Sequence, residues 1–434
     1  MHPPSLARGP DVQLNLSVRG LTPSATVALN ERSNALRQQG REIFKLGLGQ
    51  SPFPVPRIVI EALRQSAGEK DYLAVQGLPA LREAVAEHHC RTFKFDRAPQ
   101  DVLVGPGSKE LMFLLQLVYY GDLVIPTPTW VSYAPQAQII GRAVRWLPTE
   151  SENDWRLRPE QLESLCRNDP GRPRLVILNY PANPTGSTYS WDELRAIAEV
   201  ARRYRVIVLS DEIYGKLHFE GQHESIVDLY PEGTIFSGGL SKWCGAGGWR
   251  LGVFVFPPQL KWLREAMAAV ASETFTSTSA PIQYAAVEAF RASDEIDLYL
   301  RNSRRVLRAL GRRLTQSLRT AGAHVATPLG GFYLFPDMSF MADQLRERGI
   351  TTATDMCERL LEDTGVAVLP GTAFGRPDSE FTARIAYVNF DGAAALDVVA
   401  ALPASEELDD TFLRAHCGQT LEAIDRMCDW MSAR

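Results

Sequence analysis

Ser237-Gly238-Gly239-Leu240-Ser241-Lys242, running on through Trp243 to Gly248-Trp249-Arg250-Leu251-Gly252, follows the short apolar run Thr234-Ile235-Phe236. The segment places one lysine and one arginine among glycines, serines and tryptophans. Glycine lets a backbone approach a ligand closely, serine offers a hydroxyl to an oxyanion, and a lysine removed from water becomes a nucleophile. Alone, the segment reads equally well as a Gly-rich surface loop with a solvated lysine. Its neighbours decide.

Working outward, other apolar runs end in the same way. Asp101-Val102-Leu103-Val104 ends at Gly105-Pro106-Gly107-Ser108, and Leu123-Val124-Ile125-Pro126 ends at Thr127-Pro128-Thr129-Trp130. Leu175-Val176-Ile177-Leu178 ends at Asn179-Tyr180-Pro181-Ala182-Asn183-Pro184-Thr185-Gly186, and Val206-Ile207-Val208-Leu209-Ser210 ends at Asp211-Glu212-Ile213-Tyr214. Gly252-Val253-Phe254-Val255-Phe256 closes the series. Helical patterns separate these runs, as over Lys109–Tyr120 and from Trp191 onward. Continuous β-branched runs alternating with helices predict an α/β fold with a largely parallel sheet covered on both faces. In such sheets ligands sit beyond the carboxyl ends of the strands. Every unusual cluster falls there, which points to a single site.

Upstream, residues 1–14 read as a flexible arm and Ser24–Gln39 as a helix. An extended piece with Gly47, Gly49, Pro52 and Pro54 follows, then helices over Pro56–Ser66 and Leu78–Thr92. Downstream, a long Arg-rich helix is predicted from Asp294 to Gly322. Strands around Gly330–Phe335 and Ala383–Val388, with helices near Ala353–Thr364 and Glu406–Met431, predict a second, smaller α/β domain.

With 434 residues, 45% apolar and 22% charged, the chain has the composition of a globular protein of two domains. A formal net charge of −5 gives no basic field for nucleic acid or an anionic membrane. No apolar stretch reaches a membrane span, and the first residues lack an apolar leader. The six cysteines are scattered without a C-x-x-C pair, which predicts reduced thiols and a cytoplasmic protein. His88-His89-Cys90 reads as helix surface rather than metal ligands, because adjacent helical residues face different ways. No metal is expected.

Gly107-Ser108 closes a strand and opens a helix, placing free N–H groups and the positive helix end together, as a phosphate requires. Asp211 would stand at its strand end with a carboxylate able to hold a partner cation protonated, and Tyr214 would present a phenol nearby. Arg250 lies eight residues past Lys242 beyond a flexible Gly-rich stretch, so both could face one phosphate-bearing ligand. Arg384, entering from the second domain, offers the planar fork that grips a carboxylate.

Ser-Lys followed by Gly-Trp-Arg-Leu-Gly, Asn-Pro-Thr-Gly (183–186), Asp-Glu-Ile-Tyr (211–214) and Leu-Pro-Gly-Thr-Ala-Phe-Gly (369–375) stand in the order and spacing of one family. Over roughly residues 20–400 the chain resembles the fold-type I pyridoxal-phosphate (PLP) aminotransferases of class I/II. The resemblance implies a seven-stranded, mostly parallel sheet in a large PLP-binding domain over residues 51–300. It implies a discontinuous small domain from residues 15–50 and 301–434. Lys242 would then be the catalytic lysine that carries the cofactor as a Schiff base. Asp211 would hold the pyridine nitrogen, with Asn183 and Tyr214 on the ring oxygen and Trp130 stacked on the ring. Gly107, Ser108, Lys109 and Arg250 would form the phosphate cup, and Tyr72 would reach the phosphate of a second subunit in a homodimer. Arg384 would clamp the substrate α-carboxylate, with Gly49 and Asn183 on the same side.

The implied reaction is ping-pong transfer of an amino group between an L-amino acid and a 2-oxo acid. A PLP lyase or oxidase would need the same cofactor residues and stays open; a ligand sensor fused to a DNA-binding module does not fit the short N-terminal arm. Two departures stand out. The Ser or Thr common three residues before the lysine is Gly239 here, so Ser237 or Ser241 must supply the hydroxyl. Cys244, close to Lys242 in sequence, is a thiol near the cofactor, read as packing. The stretch Ser272–Ser277 lacks the arginine by which dicarboxylate-specific members hold a distal carboxylate. Aspartate and glutamate are therefore not expected through that contact, and a neutral or aromatic side chain is.

Overall fold

A computed structural model describes residues 13–433. The arm expected over residues 1–14 lies almost wholly outside the described residues. The strands in chain order are β1 (Phe44–Lys45), β2 (Val102–Gly105), β3 (Asp122–Thr127), β4 (Val144–Pro148), β5 (Arg174–Asn179), β6 (Ile207–Asp211), β7 (Thr234–Gly239), β8 (Gly252–Val255), β9 (Tyr333–Leu334), β10 (Val366–Ala367), β11 (Leu369–Pro370) and β12 (Ala383–Ala386).

Seven of them form one sheet in the order β2-β8-β7-β6-β5-β3-β4. β8 runs antiparallel to both its neighbours, and the other pairings are parallel. Successive residues of a strand face opposite ways, so a sheet covered on both faces needs apolar residues at every position. Leu175 and Ile177 of β5 lie in one core cluster, with Leu111 and Leu115 of the helix Ser108–Val118. Val176 and Leu178 lie in another, with Leu194 and Ile197 of the helix Trp191–Arg203. That double burial is what the uninterrupted apolar runs encode.

The strand over Val144–Pro148 escapes a reading from sequence. It is an edge strand with Arg145 and Trp146 exposed, so it carries no apolar run. The helices, by contrast, fall near their expected places, at Ala25–Gln38, Pro79–Thr92, Asp294–Thr320, Ala353–Thr364 and Asp410–Ser432. His89 departs from its expected surface position. It is 3% exposed and packs its ring against Phe93 and Phe236.

Outside the large sheet, β1 pairs with β10 through Phe44↔Val366, joining the N-terminal piece to the C-terminal one. β11, β12 and β9 form a small antiparallel sheet, with Arg384 on its central strand. The parallel strands of the large sheet end at one edge. Antiparallel β8 starts at that edge, so Arg250, Lys242, Asp211 and Gly107 arrive together from distant parts of the chain.

Candidate active site

At that edge lies a cavity of about 460 Å³. Its walls include Gly49, Ser108, Lys109, Trp130, Asn183, Asp211, Tyr214, Ser241, Lys242 and Arg250, ten of the positions singled out in sequence. Four others stand differently. Gly107 lies just behind Arg250, Ser237 and Arg384 are buried without lining the cavity, and Tyr72 is 90% exposed and lines no part of this chain's own cavity.

Lys242 leaves β7 through a turn and donates from Nζ to the carbonyl of Gly49 at 2.6 Å. Burial pushes its pKa down to about 8, helped by Arg384, Arg250 and Lys109, while Asp211 opposes the shift. The amine is therefore partly neutral near physiological pH, as a nucleophile or proton acceptor needs.

Asp211, the last residue of β6, is 3% exposed. Its Oδ2 accepts from the Tyr133 hydroxyl at 2.5 Å and its Oδ1 from Ser237 Oγ at 3.4 Å. Burial raises its pKa to about 6 in spite of those donors. A carboxylate kept so dry is complementary to a cation placed in the cavity.

Next to Asp211 the strand end of β5 is tied down by Asn179, whose amide donates to the Asp211 carbonyl at 2.8 Å. The Asn179 side-chain oxygen accepts from the backbone N–H of Asn183 at 2.8 Å. Asn183 Oδ1 in turn accepts from Arg384 Nη1 at 3.1 Å, while Nη2 donates to the Gly47 carbonyl. Arg384 Nε is buried with no partner. Tyr214 and Tyr333 share a hydroxyl–hydroxyl bond of 2.8 Å, and the Arg384 guanidinium lies 4.9 Å over the Tyr333 ring. Burial holds the Tyr214 phenol well above its ordinary pKa, so it remains a donor.

The opposite end of the cavity is shaped by close backbone approach. A Cβ on Gly252 would stand 2.1 Å from the Ser108 nitrogen, and one on Gly107, at φ +93°, would stand 2.4 Å from Arg250 Nη2. Arg250 holds the left-handed conformation at φ +56°, which costs an L-residue roughly 1–2 kcal/mol and is retained where the site demands it. Its guanidinium donates to the Gly247 and Pro106 carbonyls at 2.9 and 3.4 Å, beside the N-terminus of the helix Ser108–Val118.

One expectation needs correction. Ser237 does not line the cavity, its hydroxyl being engaged by Asp211, so of Ser237 and Ser241 only Ser241 stands in the wall. Gly239 has no room for the hydroxyl common at its position. A Cβ there would meet the Leu251 carbonyl at 2.7 Å and the Gly252 Cα at 3.0 Å. Cys244 sits fully buried in the hydrophobic core and lines no part of this cavity, as a packing residue should. Sequence reasoning missed Tyr133, Asn179 and Tyr333. Asn179 was within reach, since it ends a strand at the ligand edge, whereas the other two act only through folded contacts.

The residues fit PLP at each end. A positive helix end, a cradle too tight for any Cβ and Arg250 suit the phosphate. A dry carboxylate suits a pyridinium, and a half-buried amine with a lowered pKa suits the aldehyde. Such a fold and site define a fold-type I PLP-dependent enzyme. Comparison with known proteins narrows this. The sequence model described as "Aminotransferase class I and II" matches residues 41–395. The aspartate aminotransferase of Geobacillus stearothermophilus is 34% identical over 378 residues, covering 85% of this chain and 93% of that one. The aspartate/prephenate aminotransferase of Thermus thermophilus is 34% identical over 367 residues, covering 83% and 91%. A solved aspartate aminotransferase of Thermus thermophilus with maleate superposes with a TM-score of 0.81 at 29% identity, covering 96% of this chain and all of that one. This chain belongs to the class I and II aminotransferases and is a PLP-dependent transferase. Among the described residues, no helix is long and apolar enough to cross a membrane.

Proposed function

We propose that this enzyme transfers the amino group of an L-amino acid with a neutral or aromatic side chain to a 2-oxo acid, by a ping-pong sequence centred on Lys242. The observation that supports the amino-transfer chemistry is the placement of Lys242 and Asp211 in the walls of one cavity, the amine shifted down to about 8 and the carboxyl up to about 6, and the choice of donor rests on the arginine missing from Ser272–Ser277. When bound, PLP supplies the electron sink that makes the substrate Cα–H bond acidic. The remaining work falls to the chain. Asp211 would stabilise a protonated pyridine nitrogen, its carboxylate held in place by Tyr133 and Ser237. Tyr214 would donate to the ring oxygen, as would the Asn183 amide, whose oxygen is already occupied by Arg384. Gly107, Ser108, Lys109, Ser241 and Arg250 would take the phosphate, and Trp130 would cover the ring.

Arg384, beneath the wall with its Nε unpartnered and its two Nη atoms on Asn183 and Gly47, would exchange those partners for the α-carboxylate and so fix the Cα–H bond near Lys242. The neutral Nζ of Lys242 would accept the proton from Cα of the amino acid in the first half-reaction and deliver one to Cα of the 2-oxo acid in the second. Gly49 is part of this geometry, since a Cβ there would stand 1.9 Å from the Tyr333 hydroxyl. The enzyme works as a homodimer in which the exposed Tyr72 serves the neighbouring site. Six free cysteines, four of them buried, fit the reducing cytoplasm.

A second reading, an acidic donor, rests on Lys109. It lines the cavity with its ammonium 5.1 Å over Trp130, and burial lowers its pKa. In this reading Lys109 leaves the phosphate to Gly107, Ser108, Ser241 and Arg250 and meets a distal carboxylate in place of the arginine missing from Ser272–Ser277; the similar proteins named above are aspartate or aspartate/prephenate aminotransferases. A donor screen on holoenzyme decides. Each amino acid is mixed with enzyme in the absence of acceptor, and the 2-oxo acid and ammonia are measured. Transamination gives one equivalent of oxo acid per site and no ammonia, whereas continuous ammonia release would establish a lyase or oxidase. Phenylalanine or leucine ahead of aspartate supports the first substrate reading, and the reverse order supports the second.

A further inference from the structure

A second cavity, of about 330 Å³, is walled by the helix Pro79–Thr92, by β7 and by the turn after β6. It backs onto the active site. Ile213 lines both cavities, and Trp243, the residue after Lys242, lines only this one.

Its chemistry is unbalanced toward donors. Lys216 Nζ rests 4.0 Å over the Trp243 ring and 5.9 Å from the Phe290 centroid rather than on a carboxylate. Burial lowers its pKa to about 8, so most of the charge survives at neutral pH. Arg304 lines the same cavity and donates from Nε to the Lys216 carbonyl at 2.7 Å. His89, 3% exposed, has no partner for either ring nitrogen. The acidic groups do not balance this. Glu212 is already taken by Ser210, Tyr180 and Ser225 on one oxygen and by His223 at 2.7 Å on the other. Only Asp297 remains among the carboxylates in the walls.

Two cations, the half-buried Lys216 and Arg304, thus share the single unengaged carboxylate of Asp297, and that surplus beside an aromatic face calls for an anion with an apolar body. Asp297 and Glu212 lower the positive field, which suits a single negative charge and disfavours a phosphate dianion. We propose that this cavity is a second ligand site for an aromatic monocarboxylate, its carboxylate on Lys216 and its ring against Trp243. Because Trp243 directly follows Lys242, occupancy there bears on the segment that holds the catalytic amine.

The test titrates phenylacetate into holoenzyme by calorimetry, following tryptophan emission in parallel, with Lys216→Met and Arg384→Lys variants alongside. Two molecules per chain are expected. Lys216→Met weakens one of them at least tenfold and removes the accompanying change in emission, while transamination of a standard donor persists. Thr92→Trp, which adds bulk to the exposed wall of the cavity, abolishes the same molecule and serves if Lys216→Met does not fold. One molecule per chain lost only in Arg384→Lys, two molecules both kept in Lys216→Met and Thr92→Trp, or no binding at all would overturn the proposal. None of these outcomes bears on whether Lys242 transaminates.

Discussion

The phenol of Tyr133 donates to Asp211 Oδ2 at 2.5 Å, joining the helix that follows Trp130 to the end of β6. Both groups are fully buried, and burial holds the Tyr133 phenol well above its ordinary pKa. Tyr133 is therefore a fixed donor that favours the ionised carboxylate against the penalty of a dry site. In Tyr133→Phe that support is lost, and the pKa of Asp211 rises further. The acid limb of the pH dependence of kcat/KM should move up by about one pH unit. A lower kcat on an unshifted profile would make Tyr133 a packing residue only.

The same carboxyl sets a stability cost in the cofactor-free protein. With a folded pKa near 6 against an ordinary aspartate value of 3.8, the native state holds the Asp211 proton over a range where the unfolded chain has released it. Stability from this group accordingly falls as pH rises from about 4 to 6, by about 3 kcal/mol in all. Asp211→Asn should be more stable than the parent apoprotein at pH 7, with the difference shrinking toward pH 4 in denaturant titrations. A pH-independent difference would contradict the shift.

Gly239→Ser restores the hydroxyl common at that position and should nevertheless harm the protein. Its Cβ would meet the Leu251 carbonyl at 2.7 Å, an overpacking that costs about 1–3 kcal/mol. Melting temperature should drop without any gain in PLP affinity. Ser241→Ala, by contrast, should leave folding intact and weaken PLP about tenfold, as loss of one hydrogen bond to a charged group implies. Equilibrium binding of PLP to both apo variants measures this.

Arg384→Lys keeps a charge and loses the fork. A bidentate, charge-assisted contact is worth about 1.5–3 kcal/mol, so KM for amino donor and 2-oxo acceptor should both rise about 10- to 100-fold. The visible absorbance of lysine-bound PLP should be unaltered, which separates substrate grip from cofactor binding.

The strands that bury both faces were legible because nothing but apolar residues can occupy them, and the ligand edge followed from where they stop. β4 was not, since an edge strand with exposed Arg145 and Trp146 carries no such pattern. Lys242, Asp211 and Arg250 were legible as chemistry in an unusual local composition. Ser237 was misplaced because sequence adjacency to Lys242 says nothing of strand register. Its pairing with Asp211 across β6 and β7 turns the hydroxyl to that carboxylate. Tyr133 and Asp211 are 78 positions apart, and Tyr333 approaches Tyr214 from 119 positions away, so neither pairing exists until the chain folds. Lys216 passed unnoticed within the turn after Asp211, because a burial-lowered pKa belongs to its surroundings rather than to its neighbours in sequence.

If Lys242 carries the cofactor, Lys216, whose pKa also lies near 8, is the natural control. Holoenzyme is reduced with sodium borohydride, digested, and its lysine-containing peptides are weighed by mass spectrometry. The pyridoxyl phosphate mass should fall on Lys242 alone, with no label fixed in Lys242→Ala and full labelling in Lys216→Met. Label on Lys216 or Lys109, or a reducible adduct surviving in Lys242→Ala, would contradict the assignment.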